Sequence, residues 1–464
     1  MADKYDVVIV GSGPAGIFTA LELAQSSKLN ILLLEKGKPL EKRACPGAYG
    51  YSGCLACPTC AMVSGWGGAG AYSDGKLTLS PEIGGRLQRY IGDGKLTDLI
   101  NYVDRRYLDF GAADKIYGTG SQVKVIEQKA EAIGLRLIPM PIRHLGTERC
   151  YKVLREMHEF LADRVEMRTE VTVESIQAKA EKITGVITAK GEEIQARYVI
   201  VSPGREGSDW LMREADILNL TTYNNPVDLG LRVEVAQEVL QDLTDILYEP
   251  KLEYRSTVFN DRIRTFCVCP SGEVTMESTG GEDPVVTVNG HSYANRKTSR
   301  TNFALLGSAM FGEPFKDPIT YGRSIAKLGN LLADGVIMQR YGDLQMGHCS
   351  QASDIRDWAI QPTLKSATPG DINSVLPYRF MHGIKEMLLA MDKLAPGIAS
   401  ADTLLYGIEV KFYSSRLELT ENLETEIENL FTIGDGAGVT RGLVQASASG
   451  VVAAREVLRR NGNL

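Results

Sequence analysis

Four cysteines between positions 45 and 60 are spaced for metal or redox chemistry. Cys54, Cys57 and Cys60 follow the Cys-x2-Cys-x2-Cys spacing with which bacterial ferredoxins bind three corners of a cubane cluster, and Cys45, followed by a proline, supplies a fourth thiol. The spacing therefore favours a 4Fe-4S cluster. Three alternatives stay open: zinc, although structural zinc more often uses two separated Cys-x2-Cys pairs, a redox-active dithiol, and buried thiols that bind nothing.

The segment upstream of the cysteines has the pattern of a strand, a tight turn and a helix. Residues 5–10 (YDVVIV) are an apolar, β-branched run typical of a buried parallel strand, and residues 17–25 have helical spacing. The sequence GSGPAG connects them, and a second apolar run, 31–34, ends at Glu35. A glycine-rich turn in this context, with an acidic residue at the end of the next strand, predicts a dinucleotide-binding site.

The residues of this turn have distinct predicted roles. Gly11 permits the tight turn, Gly13 lets a pyrophosphate approach the backbone, and Gly16 lets the helix pack closely on the strand. The positive end of the helix points at the phosphates, and Glu35 accepts hydrogen bonds from a ribose hydroxyl. The residues predicted to contact the nucleotide here are Gly11, Gly13, Pro14, Ala15, Gly16, Glu35 and Lys36.

Two later segments distinguish FAD from NAD as the nucleotide. Residues 197–204 (RYVIVSPG) read as a strand ending in a small-Pro-Gly turn, and residues 430–437 (LFTIGDGA) as a strand ending in Gly-Asp before a helix. They resemble the second and third motifs of FAD-containing reductases and hydroxylases. The resemblance implies that Asp435 holds the ribityl or pyrophosphate part of FAD and that the last helix points its N-terminus at the flavin. Together with Val171, the further predicted contacts are Pro203, Gly204, Gly434, Asp435, Gly442 and Leu443.

The cysteines run directly into a glycine-rich loop, residues 66–71 (WGGAGA). Flavoenzymes bring such a loop against the pyrophosphate and isoalloxazine at this distance after the acidic residue, because small residues let backbone amides reach the cofactor. We therefore predict Gly67, Gly68 and Ala69 as FAD contacts. The thiols would then lie within electron-transfer range of the flavin, and a cluster there would relay electrons to or from it.

Several strings of residues together are similar to one family, the uncharacterised FAD-dependent dehydrogenases, or NAD(P)/FAD-dependent oxidoreductases, of bacteria and archaea. The resemblance covers nearly the whole chain and implies a FAD oxidoreductase fold without implying a substrate. The strings that carry it are GWGGAGAYSDGK (65–76), RHLGT (143–147), PGREGSDWL (203–211), DLGLRVE (228–234), RTFC (264–267), NGHS (289–292), TNFAL (301–305), YGIEVKF (406–412) and GDGAGVTRGL (434–443).

Three residues within these strings are catalytic candidates. Lys76 follows the flavin loop and is a candidate for stabilising the flavin anion, with a surface lysine as the alternative. His144 and His291 are candidates for donating a proton to the substrate, with a structural histidine as the alternative for each.

Other charged and sulfur-containing residues give weaker signals. Arg232, Arg264 and Lys411 are candidates for binding an anionic substrate, and each is equally well explained by an ordinary ion pair. We expect Cys267 and Cys269 to face apart and therefore not to bind one metal together.

The predicted fold class is α/β, with a Rossmann-like FAD-binding domain of the glutathione-reductase type interrupted by a mixed α+β substrate domain. No second GxGxxG turn with a following helix and acid is present in the sequence, so a separate NAD(P) domain is not predicted. The predicted divisions are a first FAD-binding part with the cysteines (1–83), a helical insertion (84–143), a second FAD-binding part (144–220), the substrate domain (221–403) and a third FAD-binding part (404–464).

Composition sets limits on partners and location. The 464 residues are 44% hydrophobic and 23% charged, which is typical of a globular protein, and the net charge of −7 gives no reason to expect nucleic acid as a partner. No basic segment followed by an apolar one begins the chain, and no apolar run reaches the roughly 18–20 residues of a membrane span. We predict a cytoplasmic protein without membrane association.

The predicted function is a FAD-dependent oxidoreductase, a reductase or dehydrogenase, that acts on a small molecule. A ferredoxin-like protein or another redox protein is the candidate electron partner. A flavin-dependent RNA-modification enzyme and a redox sensor that uses a dithiol or a cluster are the alternative functions.

Overall fold

A computed structural model of the chain describes residues 4–45, 57–73, 75–278, 284–292, 297–309, 317–413 and 415–463. The strands within these residues are β1 (Lys4–Val10), β2 (Ile31–Glu35), β3 (Lys76–Thr78), β4 (Ile116–Tyr117), β5 (Leu135–Leu137), β6 (Ile142–His144), β7 (Glu166–Thr169), β8 (Val173–Lys179), β9 (Lys182–Thr188), β10 (Glu193–Val201), β11 (Thr222–Tyr223), β12 (Val227–Ala236), β13 (Leu252–Arg255), β14 (Arg262–Cys269), β15 (Glu273–Ser278), β16 (Val286–His291), β17 (Arg300–Ala309), β18 (Ile337–Arg340), β19 (Thr368–Pro369), β20 (Leu404–Lys411), β21 (Arg416–Leu417) and β22 (Leu430–Thr432). The α-helices are α1 (Pro14–Ser26), α2 (Gln88–Ile91), α3 (Asp93–Asp109), α4 (Ser121–Glu131), α5 (Thr147–Leu161), α6 (Ser208–Ile217), α7 (Gln237–Leu247), α8 (Pro318–Ala333), α9 (Tyr341–Met346), α10 (Tyr378–Leu394) and α11 (Leu443–Arg460).

The chain divides into two compact units. Unit 1 comprises residues 1–115, 143–225 and 414–464, and unit 2 comprises residues 116–142 and 226–413. No helix in the part of the chain that the structure describes is long and apolar enough to cross a membrane.

Unit 1 is built on a mixed sheet in the order β7-β2-β1-β10-β9-β8, with β22 beside β10. Strands β7, β2, β1, β10 and β22 are parallel, and β8 and β9 are antiparallel additions. Val10, Val201 and Thr432 are in register at the carboxyl ends of β1, β10 and β22. Ligands of such sheets bind outside the carboxyl ends of the strands. The three segments predicted to bind FAD therefore all begin at one edge.

The apolar run that predicted β1 is explained by complete burial. Val7, Val8 and Ile9 have no exposed surface, and they share one hydrophobic core with residues of α1, α3 and α11. A strand covered on both faces has no solvent side on which polar residues would alternate with apolar ones. The packing of α1 on α11 is close: a Cβ on Gly450 would collide with the backbone oxygen of Ala15.

The segment 84–143, predicted as one helical insertion, is divided between the units. Helix α3 belongs to unit 1, where the ring of Tyr107 lies 5.1 Å from the ring of Phe18 in α1 and its hydroxyl lies 3.3 Å from that of Ser447 in α11. Residues 116–142 belong to unit 2, where β5 pairs with β13. Periodicity identified the helices, but only these long-range contacts assign them to a unit.

Unit 2 contains an eight-stranded sheet in the order β19-β18-β20-β12-β17-β14-β13-β5 and the hairpin β15-β16. Strand β20 lies within the predicted third FAD-binding part (404–464), whereas in the structure it pairs with β12 and β18 of unit 2. The return to unit 1 accordingly comes at residue 414. The predicted α/β architecture, with mixed sheets and a separate further domain, is confirmed.

Candidate cofactor site

The turn between β1 and α1 requires glycine at two positions. Gly11 has a φ of +100°, and a Cβ there would collide with the backbone oxygen of Ser202. A Cβ on Gly16 would collide with the backbone oxygen of Gly11. The hydroxyl of Ser202, which follows β10, donates to the backbone oxygen of Val10 at 2.9 Å. The first and second predicted FAD motifs are therefore in direct contact.

Gly13 differs, because the fold itself does not require a glycine there. Its φ of −73° is open to any residue, and a Cβ would meet no atom within 4 Å. Gly13 is also the N-cap residue of α1, whose first amide N–H groups have no partners within the helix. Open space at a helix N-terminus suits a phosphate, because the N–H groups and the helix dipole favour negative charge. These residues fit the pyrophosphate of FAD.

Glu35, the last residue of β2, accepts four hydrogen bonds from three loops. Its Oε2 accepts from the amide and the hydroxyl of Ser12, both at 2.9 Å, and its Oε1 accepts from the amides of Gly37 at 2.8 Å and Gly65 at 2.9 Å. The residue is only 5% exposed. A carboxylate has about four acceptor sites, so a ribose hydroxyl would have to share an oxygen with one of these donors. The ribose role of Glu35 stays a prediction, and its observed role is to join the loops.

Two other predicted contacts lie beside Glu35. The amide of Val171 donates to the backbone oxygen of Glu35 at 2.9 Å. Lys36 forms an ion pair with Glu206, in the segment that follows β10. Burial lowers the pKa of Lys36, and the charge of Glu35 opposes that shift.

The glycine-rich loop after the cysteines packs against the phosphate turn. The amide of Gly67 donates to the backbone oxygen of Ser12 at 2.8 Å, and Gly67 adopts a left-handed φ of +86°. A Cβ on Gly68 would lie 3.1 Å from the Cα of Gly13. Ala69, the third predicted contact of this loop, is exposed. The loop predicted to reach the flavin thus lies against the turn predicted to bind phosphate.

Arg43, which the sequence analysis did not single out, organises this loop. Its guanidinium is buried and donates to four backbone oxygens, those of Ala61 (3.0 Å), Met62 (3.1 Å), Trp66 (2.6 Å) and Gly68 (2.8 Å). Burial lowers the pKa of Arg43, and the neighbouring Tyr72, Glu35 and Cys60 oppose that shift. A single basic residue near a cysteine is too common a pattern to have indicated this role.

Arg43 also brings together the two ends of the predicted cluster segment. Cys45 follows it by two positions, and Cys60 directly precedes Ala61, whose oxygen Arg43 binds. Cys45 and Cys60 are half-buried and Cys57 is exposed, while Cys54 lies outside the described residues. Within the described ranges, no group of three or more His, Cys, Asp or Glu side chains is arranged to hold a metal ion. The iron–sulfur cluster stays a prediction.

The third predicted motif contacts the second. A Cβ on Gly436 would collide with the backbone oxygen of Gly204 and would lie 2.8 Å from the Cγ of Pro203. Asp435 is partly buried, and its Oδ1 accepts from the hydroxyl of Thr440 at 2.7 Å. The hydrogen bond fixes one carboxylate oxygen of Asp435.

The N-terminus of α11 meets the glycine-rich loop. Gly442 is the N-cap residue of α11, and a Cβ on Gly70 would lie only 2.8 Å from Cδ2 of Leu443. Pro14 at the start of α1, Gly70 and Leu443 all line one small apolar cavity of about 20 Å³, which has room for one water-sized group. The positive ends of α1 and α11 therefore approach the same loop.

A cluster of arginines precedes α11. The backbone of residues 84–86 pairs with that of 439–441: the amide of Arg86 donates to the oxygen of Val439 at 2.8 Å, and the amide of Arg441 to that of Gly84 at 2.7 Å. Burial, then the charges of Arg441, Arg89 and Arg416, lower the pKa of Arg86 to about 10. The sequence analysis missed this group, because its members come from three distant segments.

The catalytic candidates fall in different units. Lys76, in β3, and His144, at the end of β6, lie on neighbouring strands, and the amide of Leu145 donates to the oxygen of Gly75 at 3.1 Å. His291 lies at the end of β16 in unit 2 and is exposed. The structure places Lys76 and His144 on neighbouring strands, and their catalytic roles stay predictions.

The three residues proposed from sequence to bind an anionic substrate all form ion pairs inside unit 2. Arg232 and Glu409 are both fully buried and are joined by two hydrogen bonds, at 2.7 and 3.0 Å. Lys411 lies 3.1 Å from Glu409, and Arg264 pairs with Asp228. The ion-pair alternative therefore describes all three.

A larger polar cleft of about 680 Å³ lies at the other edge of the unit 1 sheet. It is lined by the β8–β9 turn, by Arg197 and Tyr198 of β10 and by residues 424–429 before β22. Its lining mixes Lys182, Arg197 and Arg460 with four glutamates. Because the cleft is away from the carboxyl ends of the parallel strands, it is not the candidate cofactor site.

The fold and the site define an α/β flavoprotein with a dinucleotide turn at the carboxyl edge of a mixed sheet. Comparison with known families agrees. Residues 6–49 match the family described as FAD binding domain, and residues 226–412 match the family described as FAD-dependent protein, C-terminal domain-like. The chain therefore contains a segment that matches a FAD-binding domain and a second, separate segment that matches a C-terminal domain of FAD-dependent proteins. The predicted FAD is confirmed, and the glutathione-reductase type stays a prediction.

A sequence search of curated proteins found no match. Among solved structures, the chain is similar to a mutant of E. coli quinol fumarate reductase FrdA (12% identity, 100% of this chain and 71% of that one, TM-score 0.42). It is also similar to glycine oxidase from Geobacillus kaustophilus (14% identity, 98% of this chain and 95% of that one, TM-score 0.38). A third similar structure is 3-ketosteroid-delta4-(5alpha)-dehydrogenase from Rhodococcus jostii (13% identity, 98% of this chain and 97% of that one, TM-score 0.42). These similarities leave the substrate open.

Proposed function

We propose that the protein is a FAD-dependent oxidoreductase that binds FAD at the carboxyl edge of the unit 1 sheet and acts on a small anionic substrate. The observation that carries the proposal is the convergence of separate segments on one turn. The loop at Gly67 bonds to Ser12, and Ser202 bonds to Val10 at the end of β1. Each segment was predicted independently to contact one cofactor.

The residues of unit 1 would hold FAD in complementary ways. The open space at Gly13 and the first amides of α1 would bind the pyrophosphate, and Asp435 would accept hydrogen bonds from the ribityl or pyrophosphate part. Bound FAD supplies the transfer of two electrons as a hydride equivalent. The N-terminus of α11, beginning at Leu443, would stabilise negative charge that develops on the cofactor.

The arginine cluster supports an anionic substrate. Arg86 is half-buried, and burial is the main cause of its lowered pKa; repulsion from the charges of Arg441, Arg89 and Arg416 lowers it further. Guanidinium groups bind carboxylates and phosphates through paired N–H donors, so a bound anion would relieve the repulsion. One Nη1 donor of Arg86 is held by Asn225 at 2.7 Å, which orients the fork.

We also propose that Cys45, Cys54, Cys57 and Cys60 hold an iron–sulfur cluster. Their spacing suits a cubane, and Arg43 draws both ends of the segment against the loop that contacts Ser12. A cluster there would supply single-electron transfer to a ferredoxin-like or other redox protein. The chain's contribution is to hold the thiols next to the cofactor loop.

The substrate class is tested by ligand-induced changes in the flavin spectrum of the purified protein. Short-chain carboxylates are compared with their methyl esters, and we expect only the carboxylates to change the spectrum. Arg86→Gln should weaken carboxylate binding about tenfold or more with unchanged flavin content. Arg197→Gln, in the distant cleft, is the matched control. Equal responses to acids and esters would reject the anionic class, and a colourless, FAD-free protein would reject the cofactor site itself.

A further inference from the structure

Two cysteines of β14 form a close pair in unit 2. The Sγ atoms of Cys267 and Cys269 are 3.9 Å apart. The prediction that they face apart is wrong for two reasons. Residues two positions apart in a strand lie on the same face, and β14 carries a bulge at this point. Phe266 is opposite Ala304 of β17 and Cys269 is opposite Asn302, so Cys267 and Val268 together face a single residue.

The bulge gives Cys267 an unusual backbone conformation. Its φ is +45°, in the left-handed region that residues with a side chain rarely adopt. Such conformations persist only where the surrounding structure holds them. Here the backbone oxygen of Cys267 accepts from Nη1 of the buried Arg232 at 3.1 Å. The strand partner β17 and Arg232 together hold the two sulfurs near each other.

Charged side chains lie close to these cysteines. Arg232 and Lys411 are positively charged, and both form ion pairs with the negatively charged Glu409. Lys411 also lies 3.6 Å from the more exposed Glu277. Burial lowers the pKa of Arg232, but Glu409 and, less strongly, the ionised Cys267 and Cys269 outweigh burial and raise it. Arg232 therefore places a positive charge close to both sulfurs.

The two thiols differ in accessibility. Cys267 is partly exposed, whereas Cys269 is 3% exposed. An external reagent therefore meets Cys267 first, and Cys269 is positioned to react with whatever forms on Cys267. This is the arrangement of an attacking and a resolving thiol.

We propose that Cys267 and Cys269 form a redox-active dithiol that is oxidised by small-molecule disulfides. The Cys267 thiolate attacks one sulfur of R–S–S–R, forming a Cys267–S–S–R mixed disulfide and releasing RS⁻. Cys269, after losing its proton, attacks the sulfur of Cys267, forming the Cys267–Cys269 disulfide and releasing the second RS⁻. The protein loses two electrons, the small disulfide gains them, and the two thiol protons go to the released thiolates. The sulfurs must close from 3.9 Å to about 2.05 Å.

The test uses the full-length flavoprotein and oxidised glutathione as the probe. After incubation, free thiols are alkylated with iodoacetamide, the protein is digested with trypsin and its peptides are weighed. Both cysteines fall on the single peptide 265–296, which contains no other cysteine. We expect this peptide to lose two hydrogens and to take no alkyl group until it is reduced. The exposed Cys349, on peptide 341–356, is the control and should give at most a mixed disulfide.

Variants separate the two steps. Cys269→Ser should leave a stable glutathione adduct on Cys267, whereas Cys267→Ser should leave the buried Cys269 unmodified. Far-UV circular dichroism and flavin content confirm that each variant folds. Full alkylation of both thiols in the unmodified protein at a large excess of oxidised glutathione would overturn the proposal, and so would an unresolved glutathione adduct on wild-type Cys267. Neither result depends on the variants or on the proposed substrate.

Discussion

The carboxylate of Glu35 lies 2.9 Å from both the amide nitrogen and the hydroxyl oxygen of Ser12. This contact joins the end of β2 to the turn in which Gly11 and Gly13 lie. The other carboxylate oxygen of Glu35 binds the amides of Gly37 and Gly65. One buried side chain therefore fixes the phosphate turn and the cofactor loop relative to each other.

Replacing this carboxylate should loosen the whole site. In Glu35→Gln the amide NH₂ group cannot accept the donors that one carboxylate oxygen binds, so two donors lose their partner. We expect the free energy of unfolding to fall by about 2–4 kcal/mol, together with weaker FAD binding. Denaturant unfolding and FAD titration measure the two effects. Glu41→Gln, at an exposed position of the same unit, should change neither, and an equally stable Glu35→Gln protein would contradict the role of Glu35.

Alanine substitutions at two glycines of the turn between β1 and α1 should have different effects, one on FAD binding and the other on stability. Gly13→Ala places a methyl group in open space, so we expect an apoprotein of equal or slightly higher stability whose FAD affinity is reduced. Gly16→Ala forces a methyl group against the backbone oxygen of Gly11, so the apoprotein should lose about 1–3 kcal/mol of stability. Thermal unfolding of the apoproteins and FAD titration distinguish the two effects. Unchanged FAD affinity in Gly13→Ala would show that the phosphate does not approach there.

The iron content tests the four-cysteine segment. Anaerobically purified protein should contain about four iron and four sulfide per chain, and alanine at Cys45, Cys54, Cys57 or Cys60 should lower both. Alanine at Cys150, Cys267 or Cys349 should not. Iron, sulfide and zinc assays with absorbance spectra measure the outcome. Zinc at these cysteines would contradict the cluster and favour the zinc site, and a reducible disulfide without metal would favour the redox-active dithiol.

Nicotinamide nucleotides should not reduce the flavin directly. The sequence has a single dinucleotide turn, which the predicted FAD site uses. We expect NADH and NADPH, added without a partner protein, to bleach the flavin absorbance far more slowly than dithionite does. Stopped-flow absorbance measures the rate. Rapid bleaching by either nucleotide would reveal a second nucleotide site.

Replacing Arg86 should stabilise the protein and weaken its binding of anions. Burial, and then the charges of neighbouring arginines, lower the pKa of Arg86 to about 10 in the folded chain, so folding disfavours its charged form at neutral pH. That cost persists below pH 10 and is relieved as the pH rises above about 10, because the folded residue then loses its proton before the unfolded one does. Arg86→Gln, which keeps an N–H donor for Asn225, should therefore raise Tm at pH 7 and reduce the rise in Tm that added phosphate gives the wild type. A lower Tm with an undiminished phosphate effect would exclude a strained anion-binding cluster.

Local sequence was sufficient for the cofactor turn. The need for glycine at Gly11 and Gly16 arises within a few residues, from a left-handed φ and a close helix–strand contact, and the apolar run of β1 records burial on both faces. The strings around Ser202 and Asp435 were also recognisable, because strand ends followed by glycine turns have short-range signatures. These features gave the fold class and the cofactor before any tertiary contact was known.

Tertiary structure decided everything that depends on residues far apart in the chain. The amide of Gly65 donates to the carboxylate of Glu35, which lies 30 positions earlier in the chain. The arginines around Arg86 come together only when residues 84–86 pair with residues 439–441. The assignment of β20 to unit 2 follows from its pairing with β12, and the proximity of Cys267 to Cys269 follows from the register of β14 against β17. Sheet register and buried hydrogen bonds are set by the whole core, so the periodicity of a single segment does not contain them.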